Sequence, residues 1–595
     1  MQKISSMRKI TPFFIVLFLV STLHAQPRVG IETLRKDLYF LASDSLKGRF
    51  PGTAEDKIAA EYIAQAFRQA GLNFFTPDGK SAFQIVTAVE TTDSNKLSIG
   101  SVQAVYGEDY SIYAFSRSGY FKSEIVFAGF GMNIQTDSLI HNDYEGLDVQ
   151  GKWVLALKGD PEPENNSSPY IPFADARNKA LFAQDQGAIG LILIGGTKNN
   201  PNDELTPLLF ERSIASAGIA VVDMKKSFAE TQLFANKILI DSLESQLIRN
   251  ENPQISFTDI EPEAVIDLQK KLTTTFNIYG YLEGSDPVLK HEFLVIGAHY
   301  DHLGMGGEGS GSRVPDTIAA HVGADDNASG TAALLELAKR FSQPKQELRR
   351  SVLFVSFGAE ELGLLGSKHF VDNLPVDRSK ITAMINMDMI GRLNEEKAVA
   401  VGGTGTAKNF EDMLRELESN SELKLSFSPE GFGASDHASF YAADIPVLFF
   451  TTGAHPEYHT PADTPDKINY DGMMILLELI EETAVRLANI DERPIFTEAG
   501  PKQRFQARRG FKVTLGIMPS YTAGDIQGLG VDAVTKGGPA DMAGMKKGDI
   551  IVGINGMEVN NIYDYMNRLR QLKQGQRIHV DILRKEKPEI LIVDL

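Results

Sequence analysis

Apolar and polar positions fall into three textures along the chain. Between Phe293 and Ile490, apolar runs near 293–298, 352–357, 383–387, 397–401 and 446–450 alternate with amphipathic stretches near 331–341, 361–373, 407–418 and 472–489. Strands separated by helices predict an α/β unit with a largely parallel, doubly wound sheet. Residues 31–72 carry helical spacing. The stretch "KIAAEYIAQAFRQAGL" places Ile58, Tyr62, Ala66 and Phe67 on one face and stops at Gly71. Residues 81–115 read as strand-rich. From Ser116 the texture changes to a β-turn-β-α-β block containing the runs Trp153 to Leu157 and Gly190 to Ile194. It has few histidines and no acidic pairs at strand ends, so it reads as an insert without chemistry of its own. Polar residues 491–508, with Pro and Gly, read as a linker. The last block, 509–595, has short strands expected at Lys512–Gly516, Gly530–Val534, Asp549–Ile554 and Arg577–Arg584, with a helix at Ile562–Leu572.

The first 25 residues have a different character. Lys3, Arg8 and Lys9 precede the unbroken apolar run Phe13 to Val20, and a small residue, Ala25, closes the segment. This is the pattern of a cleaved export signal, and the run is too short to span a bilayer. The expectation is an exported protein, periplasmic or extracellular, with no membrane anchor after cleavage. The formal charge of −19 becomes −22 without those three basic residues, which disfavours nucleic acid as a partner. There is no cysteine, so a bound metal would be held by nitrogen and oxygen alone.

Chemistry gathers where apolar runs end. "GAHYDH" carries His299 and Asp301, whose i, i+2 spacing points both side chains the same way on a strand. A carboxylate there can fix the tautomer of a ligating imidazole. His302 and Tyr300 are left without a role. "GADDNASG" fits a calcium-loop template from Asp325 to Glu336, but the preceding stretch is loop rather than helix. Asp325 is better read as a carboxylate at a Gly-flanked turn, free to bridge two cations. "GAEELG" offers adjacent Glu360 and Glu361, one able to ligate while the other takes a proton from water. Asp388 stands in the otherwise apolar "NMDMIGR" and must be paired or ligating. "EYHTPADT" presents Tyr458 and His459 in a loop.

Taken in this order, "GAHYDH … GADDNASG … GAEELGLLGS … NMDMIGR … GASDHASF … EYHTPADT" resembles the zinc-dependent M28 aminopeptidase family. The resemblance covers about 31–115 and 271–490, so the catalytic unit is expected at 26–115 and 271–490, on a zinc exopeptidase fold. It implies two Zn²⁺ per chain, with His299 and Asp388 on one, Glu361 and His459 on the other, and Asp325 bridging. Glu360 would be the general base, Asp301 the partner of His299, and Tyr458 an oxyanion donor. The substrate would be a peptide with a free N-terminus. The insert, placed at 116–270, resembles a protease-associated domain. Residues 509–595 resemble a PDZ domain, with Leu515, Gly516 and Ile517 as the loop that would bind a C-terminal peptide. Two other readings of the scaffold stay open: a carboxypeptidase using Arg392 to grip a carboxylate, or a peptide-binding protein without catalysis. A glutaminyl cyclase is a third relative of the same scaffold.

Overall fold

The computed structural model describes residues 30–595 apart from 137–138, 211–215, 252, 254, 258–259, 344–347, 501–512, 520–527, 536 and 561. The expected export signal, much of the linker, and Lys512 at the start of the expected last-block strand lie outside the described residues.

An eight-stranded sheet forms the main unit. Its centre is the buried strand Phe293–His299, paired in parallel with Ser351–Phe357 on one side and Ile381–Met387 on the other. Val447–Thr451 extends the parallel run beyond Ile381–Met387. The edges are antiparallel: Leu268–Leu282 pairs with Ser351–Phe357 and then with Lys80–Thr91, and Ala398–Gly402 pairs with Val447–Thr451. The three central strands are buried along their whole length. Such strands read as continuous apolar runs because both faces are covered. Leu294 and Ile296 pack with Leu34, Ala60, Ile63, Leu334 and Ile480 on one face. Val295 packs with Phe370 and Phe440 on the other.

The helix Ala54–Gln69 buries Ala59, Ala60, Ile63, Ala64 and Phe67. Ile58, expected on that face, is 51% exposed. The buried stripe is led by alanines, which allow close approach to the sheet and which hydrophobicity alone ranks below Ile. The preceding helix stops at Leu41, well before Arg49.

The insert begins earlier than residue 116. Lys96–Ile99 and Val102–Gln103 join Pro262–Ile266 and Gly119–Lys122 in a separate four-stranded sheet, and Tyr110–Ile112 edges a five-stranded sheet with Ala220–Met224, Gly190–Ile194, Trp153–Leu157 and Ile125–Phe127. The assignment of 92–115 to the catalytic unit is therefore corrected. The insert leaves the main sheet after Thr91, which sits opposite Leu268, where the chain returns. The chain passes between the units within a few residues, Thr91 to Lys96 and Ile266 to Leu268, and composition marks no boundary there.

In the C-terminal unit the first described strand is Ile517–Pro519, not 512–516. It pairs with Leu529–Val534, followed by Ile550–Ile554, Arg577–Arg584 and Lys587–Asp594. The helix Ile562–Gln571 faces the insert. Arg568, fully buried, donates to both carboxylate oxygens of Asp185, and Gln184 donates to Glu558 at 2.9 Å. Removing one partner of a buried pair costs about 3 kcal/mol or more, because the other charge is left uncompensated. Arg568→Ala should therefore loosen this junction, and limited proteolysis should release the C-terminal unit faster than in the wild type while the catalytic core stays resistant.

Candidate active site

The C-terminal ends of three adjacent parallel strands deliver the acidic and imidazole groups, the position where open α/β sheets hold ligands. His299 ends the central strand. Glu360 and Glu361 follow Ser351–Phe357, and Asp388 follows Ile381–Met387. Beyond the fourth strand, Val447–Thr451, the chain runs into the loop that carries Tyr458 and His459.

His299 Nδ1 lies 3.3 Å from the Asp301 carbonyl oxygen, which can only accept. The ring is thereby held with its proton on Nδ1 and its Nε2 aimed inward. Nε2 is 3.3 Å from Asp326 Oδ1 and 3.3 Å from Asp388 Oδ1. His459 repeats the arrangement. Its Nδ1 is 3.1 Å from the Gly311 carbonyl, and its Nε2 is 3.1 Å from Asp326 Oδ2 and 3.3 Å from Glu361 Oε1. The two oxygens of Asp326 thus face the two imidazoles.

Asp325, expected in that shared position, points elsewhere. Its Oδ1 accepts the Gly391 N–H at 2.6 Å, and its Oδ2 lies 3.4 Å from His455 Nε2. Asp463 Oδ2 accepts the backbone N–H groups of both Asp325 and Asp326, at 2.9 and 3.1 Å. The turn is set by Gly323, at φ +52, where a Cβ would lie 2.1 Å from the Asp326 carbonyl oxygen. Neighbouring side chains diverge from such a turn, and it is the second aspartate that enters the site. Glu336, which a calcium loop would need, instead pairs with Arg340 at 3.0 Å.

Asp301 pairs with His299, as expected, and has a second task. Its carboxylate is 3.7 Å from His299 Nδ1, and its oxygens accept the N–H groups of Glu360 and Glu361 at 3.0 and 3.2 Å. It fixes the turn that carries the two glutamates. That turn needs fixing, since Ala359 has φ +56; Met389, after Asp388, has φ +58, and His459 itself has φ +56. Left-handed backbone at non-glycine residues costs about 1–3 kcal/mol each and gathers at functional sites.

Two further residues belong to the site. His302 Nδ1 is 2.7 Å from Glu361 Oε1, with the ring fully buried. Arg49, also fully buried, donates to the carbonyls of Tyr300 and Val322 at 2.6 Å and of Gly323 at 3.1 Å. It ties the loop after His299 to the turn before Asp326. Burial pulls Arg49 down to about 10, with Asp301 and Asp326 opposing, so it stays charged at neutral pH.

The electrostatics divide the carboxylates. Burial would raise Asp326, but the imidazoles of His302, His299 and His459 overcome it and hold it well below the usual range. Glu361 is likewise brought down to about 2 against burial and Asp326, by His302 and His459. Glu360 is pushed well above the carboxylate range by burial and by Glu361, against the pull of His299. Burial opposes protonation of His459, yet Asp326 and Glu361 raise it to about 10. Such raised imidazoles between carboxylates mark places where positive charge is stabilised. Imidazole nitrogens and carboxylate oxygens are also the donors that suit a transition-metal cation. Tyr458 stacks on the His459 ring with centroids 3.9 Å apart. Burial and the surrounding carboxylates raise its pKa, so its hydroxyl keeps its proton.

A family model described as "Peptidase family M28" matches residues 277–484. Those residues are an M28 peptidase domain. A second model, for the PDZ domain, matches 504–595. Aminopeptidase YwaD of Bacillus subtilis (strain 168) is 25% identical over 468 residues, which is 76% of this chain and 84% of the relative. Leupeptin-inactivating enzyme 1 of Streptomyces exfoliatus is 34% identical over 182 residues, 30% of this chain and 36% of the relative. Among solved structures, an aminopeptidase from Aneurinibacillus sp. strain AM-1 overlays with a TM-score of 0.47 at 23% identity, covering 79% of this chain and 95% of that one. In this M28 domain the shared carboxylate of the site is Asp326.

The swap between neighbouring aspartates is directly testable. Asp326→Asn should abolish stable uptake of divalent metal, read by elemental analysis after dialysis. Asp325→Asn should weaken metal binding only about tenfold, the effect of disturbing a supporting group. Full metal content in Asp326→Asn with loss in Asp325→Asn would restore the original assignment.

Proposed function

We propose that the chain is an exported metallo-aminopeptidase that removes residues from the amino end of peptides, with two zinc ions per chain. Peptide hydrolysis of the aminopeptidase kind is what the M28 domain and the curated aminopeptidase relatives support. The observation that carries the two-ion reading is Asp326, whose oxygens separately face His299 with Asp388 and His459 with Glu361. Those five side chains would hold the ions. When bound, the ions supply Lewis acidity toward the scissile carbonyl and lower the pKa of water.

The protein's own groups complete the chemistry. Glu360 is held beside His299 and Asp388 by the Asp301 contacts to its backbone. With cations offsetting the burial and the Glu361 charge that raise it, the ionised Glu360 would accept a proton from the attacking water as the water oxygen bonds to the carbonyl carbon, and return it to the nitrogen as the C–N bond breaks. The Tyr458 hydroxyl donates to the developing oxyanion. The acidic surroundings favour the cationic amine of a free peptide N-terminus. Arg392 is already engaged, donating to Glu457 at 2.8 Å and to the Lys467 carbonyl at 2.9 Å. This disfavours the reading in which it grips a C-terminal carboxylate.

In the C-terminal unit the side chains of Leu515 and Ile517 are buried in the local core, and Gly516 has φ +72. A C-terminal peptide ligand there would be held by the backbone of this loop, adding as a strand beside Ile517–Pro519.

Glu360→Gln should keep its metal while kcat falls by about 10²–10⁴-fold, the usual worth of a positioned general base. Near-normal turnover would remove Glu360 from the role. N-terminal acetylation of a test peptide should abolish cleavage and C-terminal amidation should not; the reverse pattern would mean a carboxypeptidase.

A further inference from the structure

A cavity of about 590 Å³ lies where the insert, the C-terminal unit and the catalytic unit meet. That is within the roughly 300–1,000 Å³ of ligand sites. The insert supplies an aromatic wall, Tyr113 and Phe115, with ring centroids 5.2 Å apart. Leu209 of the insert and Met566 of the helix Ile562–Gln571 add apolar surface. The Arg568–Asp185 pair fixes that helix against the insert, so the cavity depends on the docked arrangement.

Its described lining carries more carboxylates than cations. Among the described residues, Asp175, Asp564 and Glu308 line it with one guanidinium, Arg177, which lies 4.3 Å over the Phe115 ring. Two of the carboxylates have local backbone duties: Asp175 accepts the Asn178 N–H at 2.9 Å and Asp564 accepts the Asn560 N–H at 2.8 Å. Glu308 is exposed and comes from the loop that leads away from His299. Three residues further on, the Gly311 carbonyl holds His459 Nδ1. Three residues reach at most about 11 Å, so the cavity opens close to the metal-ligand loop. Gly309 of the same loop approaches the Phe210 carbonyl of the insert.

We propose that this cavity is an exosite for the distal part of a peptide substrate, selecting a stretch with lysine or arginine among apolar residues. Apolar walls take the aliphatic and aromatic side chains, and the excess of carboxylate takes the cation. The proposal rests on the aminopeptidase reading for its purpose but not for its test.

The test is binding of two decapeptides, each capped at the amino end with fluorescein and amidated at the other. One carries two lysines and a phenylalanine; its counterpart has glutamates in place of the lysines. The caps deny the peptide both a free amine for the metal site and a free carboxylate for the C-terminal unit, and anisotropy needs no turnover. The lysine peptide should bind the full-length protein about tenfold more tightly than the glutamate peptide, and Glu308→Lys should erase that difference. Equal affinities in the wild type, or an unchanged preference in Glu308→Lys, would overturn the proposal. If binding behaves as expected but uncapped peptides are not cleaved, the exosite stands and the aminopeptidase reading fails.

Discussion

Carboxylates cannot be gathered in a buried site without positive charge between them, and the arrangement of this chain follows from that repulsion. Asp326, Glu361, Asp388 and Glu360 converge beside Asp301 and Asp463 in a largely buried region. Like charges at such separations force some groups to hold protons and others to find cations. The chain meets the requirement with Arg49 and with the imidazoles of His299 and His459, both raised against burial by the surrounding carboxylates. His299 and His459 are each anchored through Nδ1 to a backbone carbonyl, which turns Nε2 toward Asp326. Were a divalent ion held here, these rings would have to release any proton on Nε2, which would couple metal uptake to proton release.

Around this cluster the supporting contacts are made mostly to backbone. Asp301 grips two N–H groups of the glutamate turn, Asp463 two of the aspartate turn, and Asp325 one at Gly391. N–H bonds fix the direction of these carboxylates and pull against burial, which still raises Asp463 and lifts Asp325 to about 6. The acids around the site therefore divide into those that face the imidazoles and those that hold the frame. The left-handed residues Ala359, Met389 and His459 sit where that frame is tightest.

The residues at strand ends were legible from sequence. His299, Glu361, Asp388 and His459 each follow an apolar run or close a loop, and the structure gathers them. The choice between Asp325 and Asp326 was not legible, since it depends on how the chain leaves Gly323 and on a carboxylate 137 positions away in Asp463. His302 and Arg49 were missed for a related reason: their partners, Glu361 and the carbonyls of Tyr300 and Val322, are distant or are backbone atoms that no pattern of side chains records. A lone arginine followed by "FPG" was the one available hint. The sheet itself was readable from apolar runs, but its antiparallel edges were not, because Lys80–Thr91 and Leu268–Leu282 are half-exposed and carry a weaker signal.

Those same two strands have an evolutionary consequence. The insert departs and returns through neighbouring positions of one antiparallel pair, Thr91 opposite Leu268. Joined directly, these ends would make an ordinary hairpin. Hairpin tips tolerate grafted chain because the closure entropy grows only with the logarithm of length, and because the parent sheet loses no pairing. Accessory modules could thus be exchanged at this doorway over generations while the catalytic strands kept their register.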